Sequence, residues 1–341
     1  MTGYAVITPS SAQPCASERR SGPSVTASAY SHTILTTPAT SRVRRFIRDI
    51  SATSTSLSFR DLIEHVECAG GESFVRYGHQ VTTVAVHARD LPHRYAVGIA
   101  AFRLTQYLRT GYASTAVAAR HHLFCEPLAS FASTDWHVLC LDDITGQLLG
   151  YIEFAGISDP DARPVIDPAR ARFPVEATHD IDLFSHVPTP PGLTTHDVRE
   201  VKRFVHSGSL ADKHKRLRVS LELLLGLGSI VEKTYPRIKS VIGDVESHVA
   251  LRHILILGLD AHILAGTTPS LPKTALLHPA YTTRECVQPF YADVPTLDET
   301  IRRRRVLEHV LSHQNVFTDI GLLGEEMSGS IDVVDLARRA A

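Results

Sequence analysis

Apolar positions recur along the chain in helical and strand-like rhythms, and their order lays out the elements. Residues 1–41 are rich in Ser, Thr, Ala and Pro and carry almost no periodic apolar pattern, whereas Val43, Phe46, Ile47 and Ile50 mark a short helical face. Ser58–Ile63 opens a second helix that ends before Gly70 and Gly71, and Val81–Val86 is β-branched and strand-like. Tyr95–Ala100 reads as a strand and Leu104–Leu123 as a helix. Trp136–Leu141 and Gln147–Phe154 flank a turn at Asp142–Gly146, where Asp and Gly supply the backbone geometry of a hairpin.

Residues 156–195 are Pro- and Asp-rich and predict a long excursion over the surface, the kind of loop that often carries function. Glu200–His206 is the next strand, with Val201, Arg203 and Val205 alternating with Lys202, Phe204 and His206. A basic loop, Lys213–Arg218, precedes Val219–Val231, which is apolar nearly all round and so predicts a buried helix. Ile238–Ile242 follows as a strand, Glu246–Leu257 as a helix closed by Gly258, Ala261–Ala265 as a strand, and Val287–Tyr291 as the last one. Beyond residue 299 come basic helical pieces such as Ile301–Leu307. Strands alternating with helices around a hairpin define a mixed α/β sheet.

Composition narrows the function classes. Hydrophobic residues make up 43%, enough for a sizeable core, and 35 Lys+Arg against 36 Asp+Glu give a net charge of −1. A nucleic-acid protein held by bulk electrostatics is therefore not expected. No apolar run reaches the ~18 residues of a membrane span, and the N-terminus lacks a signal-peptide layout. Five scattered cysteines with no C-x-x-C pair argue against a disulfide framework or a cysteine zinc site, and fit a reducing cytoplasm. The 19 histidines include no H-E-x-x-H spacing. Residues 1–41 cannot bury enough surface to offset their ordering entropy and are expected as a disordered arm. A composition rich in Ala, Arg and Thr is compatible with a high-GC bacterial source.

From about Tyr95 to Tyr291 the order of elements resembles the GNAT acyltransferase fold, and most closely the branch of acyl-homoserine-lactone synthases and long-chain N-acyl amino acid synthases. The hairpin His137–Gly150 is similar to that family's second and third strands. Glu200-Val-Lys-Arg203 sits where the branch has a Glu-x-Ser-Arg strand, helix 219–231 where it has its cofactor-facing helix, and Leu257-Gly258-Leu259 where a helix ends in Leu-Gly-Leu/Ile. The resemblance implies a GNAT-like mixed central sheet flanked by helices over 93–298, a small helical N-terminal layer at 42–92 and a C-terminal helical tail at 299–341. It implies an N-acyltransferase with no permanently bound cofactor, which takes acyl-CoA or an acyl carrier protein thioester as co-substrate and a small amine as acceptor. Two departures stand out. Gly150 is followed by Tyr151-Ile152-Glu153 rather than an early Arg, and the glycine-rich pyrophosphate loop is absent between His206 and Val219.

Acyl transfer to an amine requires the amine deprotonated and the thioester carbonyl polarised. The resemblance assigns the base role to Glu200, if burial raises its pKa, with backbone N–H groups polarising the carbonyl where its strand splays from a neighbour. Arg203 and Trp136 are the implied substrate contacts. Lys213, Lys215, Arg216, Arg218 and Val219 are the implied donor contacts, by charge and by the helix N-terminus. No Ser–His or Cys–His pair is expected. The structural alternatives are a strand-edge pair of Glu200 with Arg203 or Arg199, an internal salt bridge for Arg203, and a solvated charged turn at 213–218. Cys286 is either a reactive thiol or an inert buried one. A degenerate, inactive binding or regulatory module remains the rival function, and a carrier-protein partner docking through 213–218 and Arg302–Arg305 a third.

Overall fold

The computed structural model describes residues 39–128, 131–157, 159–246, 250–282, 287–326 and 331–335. Residues 1–38 of the expected N-terminal arm, together with Cys286, lie outside them. In chain order the elements are α1 (Ala39–Ser56), α2 (Arg60–Ala69), β1 (Phe74–Tyr77), β2 (Val81–His87), α3 (His93–Thr110), α4 (Thr115–Arg120), β3 (Trp136–Asp142), β4 (Leu148–Ala155) and α5 (Pro174–His179). They continue with β5 (Val198–His206), α6 (Lys213–Thr234), β6 (Ser240–Glu246), α7 (Ala250–Ile256), β7 (Asp260–Ala265), α8 (His278–Thr282), β8 (Val287–Asp293), α9 (Leu297–Ser312), α10 (Ile320–Glu326) and β9 (Ile331–Asp335).

Among the described residues, nine strands form one sheet in the order β1-β2-β3-β4-β5-β6-β8-β7-β9. The pairs from β1 to β5 are antiparallel, and β5 and β6 run parallel, from Val198↔Ser240 to Val201↔Gly243. The β3–β4 hairpin, β5, α6 and the β6–α7–β7 run follow one another in the order the resemblance implied. The architecture is the expected one, a mixed α/β sheet with helices on both faces. Residues 42–341 pack as one compact unit, and β1 and β2 belong to the same sheet as the strands that follow.

Helix α6 is apolar all round because it is covered on two sides. Val219, Leu223, Leu227 and Ile230 pack on Val138, Cys140, Ile152 and Phe154 of the sheet, while Leu221 and Leu225 meet Leu307, Val310 and Leu311 of α9. Its close approach to the sheet requires Gly150, where an added Cβ would lie 2.4 Å from Val219 Cγ1 and 3.1 Å from Leu223 Cδ1. Overpacking of this kind costs about 1–3 kcal/mol. Gly150→Ala should therefore lower the urea midpoint, and Val219→Ala in the same chain should restore at least half of the loss. A Gly150→Ala protein as stable as wild type would mean that α6 gives way without cost.

Several expectations are corrected. Tyr95–Ala100 is not a strand but the first half of α3, which Pro92 opens and Gly111 closes in the left-handed conformation. The helix expected over 104–123 is the second half of α3 followed, after a break, by α4. The basic segment 213–218 is not a loop, since Asp212 caps it as the opening turns of α6. The 299–341 tail contains a strand, β9, which pairs in parallel with β7. The 156–195 excursion is packed rather than draped. Its Ile157, Val165, Phe173, Val175, Leu183 and Phe184 share a core with Val198, Ile242 and Tyr291, and Arg170 forks onto Glu176 with both bonds at 2.7 Å.

Candidate active site at the splay of β5 and β6

Parallel pairing of β5 and β6 extends through Val201↔Gly243, and both strands then continue, to His206 and Glu246. Glu200 lies just before the point of divergence. Val201 belongs to the α6-side core, so Glu200 faces the other way, beneath the packed excursion, where the Val175 amide donates to its Oε2 at 3.3 Å. The carboxyl is 3% exposed. Burial pushes its pKa up to about 8, with Lys202 opposing and the Asp244 charge reinforcing. Asp244, on the diverging part of β6, accepts hydrogen bonds from His179 Nε2 at 2.9 Å and the Tyr281 hydroxyl at 2.8 Å.

A bulge organises the neighbouring charges. The β4–β5 register shifts between Tyr151 and Glu153, and Arg203 sits at φ 64°, a conformation uncommon for a side chain with a Cβ. Strict alternation would send Lys202 and Arg203 to opposite faces, whereas the bulge turns both onto one. Lys202 Nζ is 3.3 Å from Glu153 and Arg203 Nε is 3.7 Å from Glu126. Arg103 of α3 joins the two carboxylates, 3.0 Å from Glu153 and hydrogen-bonded to Glu126. Glu153 is desolvated, which alone would raise its pKa, yet Arg103, Lys202 and Arg203 together hold it below the usual carboxylate range. Glu126 Oε1 and the Arg203 Nε–H are buried without a hydrogen-bond partner. Arg203 thus forms an internal salt bridge, but not through the alternation with Val201 and Val205 that the sequence implied.

The remaining candidates lie elsewhere. Trp136 is a core residue on the α6 side, 2% exposed, with its ring edge-on to His87 at 5.1 Å. Lys215 pairs with Asp142 at 2.7 Å, Arg216 donates to the Leu210 carbonyl at 2.5 Å, and Lys213 is exposed on the first turn of α6. Arg218 is buried and donates to the carbonyls of Leu311 at 2.8 Å, Gln314 at 3.1 Å and His313. Val219 is fully buried against Gly150. Asp142 also accepts the Thr145 amide at 3.0 Å, as a turn residue does. Arg303 is buried and paired with Glu299 at 2.5 Å, so Arg302–Arg305 is not a simple solvated face.

A Ser–His pair is present after all, with His206 Nε2 and Ser220 Oγ 2.9 Å apart. The serine hydroxyl is itself 3.1 Å from the Arg216 carbonyl one turn back and donates to it. The imidazole N–H then points at the serine oxygen, which ties the end of β5 to α6 and leaves the histidine no lone pair for that proton. A small apolar cavity of about 30 Å³ lies between Phe154, Val201, Gly228, Val231 and Val241. A wider groove of about 700 Å³ runs along α9 instead and contains none of the neighbours of Glu200.

Arg103, Glu126, Tyr281 and His179 were not found from sequence, since they come from helices and loops far apart in the chain. Glu153 did leave a signal, as the one charge in the wholly buried strand Leu148–Ala155.

No family model and no curated protein matches the chain. Among solved structures it is similar to the AHL synthase LasI, at 13% identity over 64% of this chain and 92% of that one, with a TM-score of 0.37. It is also similar to the CoA-dependent acyl-homoserine lactone synthase MesI, at 17% identity over 65% and 92%, TM-score 0.37. A third is a GCN5-related N-acetyltransferase from Brucella melitensis, at 11% identity over 72% and 93%, TM-score 0.36. With similarities this low, the fold stands on its strand order and the chemistry on its own residues.

Proposed function

We propose that the protein is an N-acyltransferase that moves an acyl group from a thioester donor, acyl-CoA or an acyl carrier protein, to the amine of an amino acid or small metabolite. The observation that carries this reading is Glu200, a buried carboxyl beside the diverging ends of two parallel strands, with a proton affinity matched to an amine near neutral pH. In this reading Glu200 accepts the amine proton and the N–H groups of β5 beyond Val201 polarise the thioester carbonyl. The unfilled polar capacity of Glu126 and Arg203 orients the acceptor. The apolar cavity across β5 receives the near end of the acyl chain. It holds about two water-sized groups as it stands, so a long chain requires the α6 side to yield. Incubating the protein with acyl-CoA and acyl carrier protein donors and pooled amines should release free thiol and yield an amide by mass spectrometry. Donor binding with no amide from any acceptor would instead leave a catalytically inactive module.

That second reading has a specific observation in its favour on the donor side. Asp212 caps α6 through the His214 amide at 2.9 Å, placing a carboxylate where a donor phosphate would meet the helix N-terminus. The nearby Gly208 amide is already taken by Gln106 Oε1 at 2.8 Å, and Arg218 is committed to carbonyls. Asp212→Asn preserves the cap and removes the charge. If the phosphates approach α6, it should tighten CoA binding ~2–5-fold, the scale of a helix-terminus charge. Unchanged affinity would place the donor elsewhere.

A further inference from the structure

The C-terminal end of α9 gathers side chains that the acyltransferase reading does not use. His309 and His313 are four residues apart and therefore share one helix face, with ring centroids 5.0 Å apart. The chain then turns, the Thr318 amide donating to the Asn315 carbonyl at 3.2 Å and the Phe317 amide to Asn315 Oδ1 at 3.1 Å. This turn brings Asp319 back until its Oδ2 lies 3.1 Å from His313 Nε2. One ligand atom from each of His309, His313 and Asp319 falls within 4.8 Å of the other two.

We propose that these three residues form a binding site for a borderline divalent transition ion such as Zn²⁺. Two imidazoles and one carboxylate are a nitrogen-rich set that suits Zn²⁺, Co²⁺ or Ni²⁺ and not the oxygen-seeking Mg²⁺ or Ca²⁺. Around an ion with ligands at ~2.0–2.2 Å, tetrahedral ligand atoms lie roughly 3.3–3.6 Å apart. Both rings are exposed, so small side-chain rotations close the set without moving the backbone. That backbone is already held, because Arg218 grips the Leu311, His313 and Gln314 carbonyls from α6, and Phe317 packs edge-on against His214 at 4.5 Å. The preorganised loop reduces the ordering cost of binding. Three protein ligands leave the fourth position for water or an anion, and His309 lines the 700 Å³ groove that Arg302 and Arg305 also border. These arginines oppose a bare dication and favour an anionic fourth ligand.

The test uses the untagged full chain, stripped with a chelator and titrated with ZnCl₂ by calorimetry and with CoCl₂ by visible absorption. The expected result is one tight ion per chain, Co²⁺ bands typical of low coordination, and no response to MgCl₂. His309→Ala and Asp319→Ala should each weaken Zn²⁺ binding at least ~10-fold, given that even second-shell partners of metal ligands are worth 10–100-fold. His278→Ala, at a half-buried position on α8, should leave it unchanged. Equal melting temperatures in chelator would show that the variants fold, and His309→Gln provides a second variant. Absence of the tight ion in wild type would overturn the site, as would wild-type affinity in both alanine variants, since zinc would then be held by other histidines.

Discussion

Glu200→Gln is expected to lower amide formation at least ~10²-fold, the lower end of what a positioned general base supplies. Gln fills the same volume and still accepts the Val175 amide, so the loss is specific to the proton. The pH profile sharpens the prediction. The folded-state carboxyl titrates at about 8 because burial disfavours its charge, and a base acts only when ionised. With an acceptor whose amine is neutral throughout, kcat/KM should rise tenfold per pH unit up to about pH 8 and level off above it. In Glu200→Gln this limb should vanish, leaving a flat residual rate. A limb that persists in the variant would assign it to another group, and a loss smaller than about tenfold would remove Glu200 from the chemistry.

How much of this was legible in the sequence depended on the range of the interactions involved. The β3–β4 hairpin declares itself locally, with Asp142 and Gly146 at the turn and apolar runs on either side. β5 and the two-sided burial of α6 were equally plain, and Glu200 followed from its place on β5. The start of helix α3 imitates a strand, because Tyr95, Gly98, Ile99 and Phe102 pack between neighbours with little solvated face and the run is rich in Tyr, Val and Ile. Pro92 before His93 was the available helix-start signal. The charge of 213–218 imitates a solvated loop, although Asp212 marks a helix cap. The bulge at Lys202 and Arg203 leaves no local trace, because it exists to satisfy Glu153 and Glu126, 49 and 77 residues away from these cations in the chain. The site is a property of the assembled sheet, and only its strand-borne half could be seen beforehand.

The same network carries the largest expected effect on stability. Arg103 is completely buried, bonded to Glu153 at 3.0 Å and to Glu126, and lies over the Phe131 ring at 5.0 Å. Arg103→Met keeps much of the side-chain volume but leaves two buried carboxylates with only Lys202 and Arg203 to balance them. Removing one member of a buried ion network typically costs ~3–5 kcal/mol, because the remaining charge is unpaired rather than because the pair was strongly stabilising. Urea denaturation should show a loss of that size. The same reasoning predicts the rescue, since Arg103→Met combined with Glu126→Gln removes one orphaned charge along with its partner and should recover a substantial part of the loss. Losses that simply add in the double variant would mean that the cost lies in packing against Phe131 and Tyr151. If Arg103→Met costs less than about 1 kcal/mol, water reaches the carboxylates and the pocket around Lys202 and Arg203 is wet. A polar substrate would then enter the site by displacing water, not by filling a dry, charge-balanced cleft.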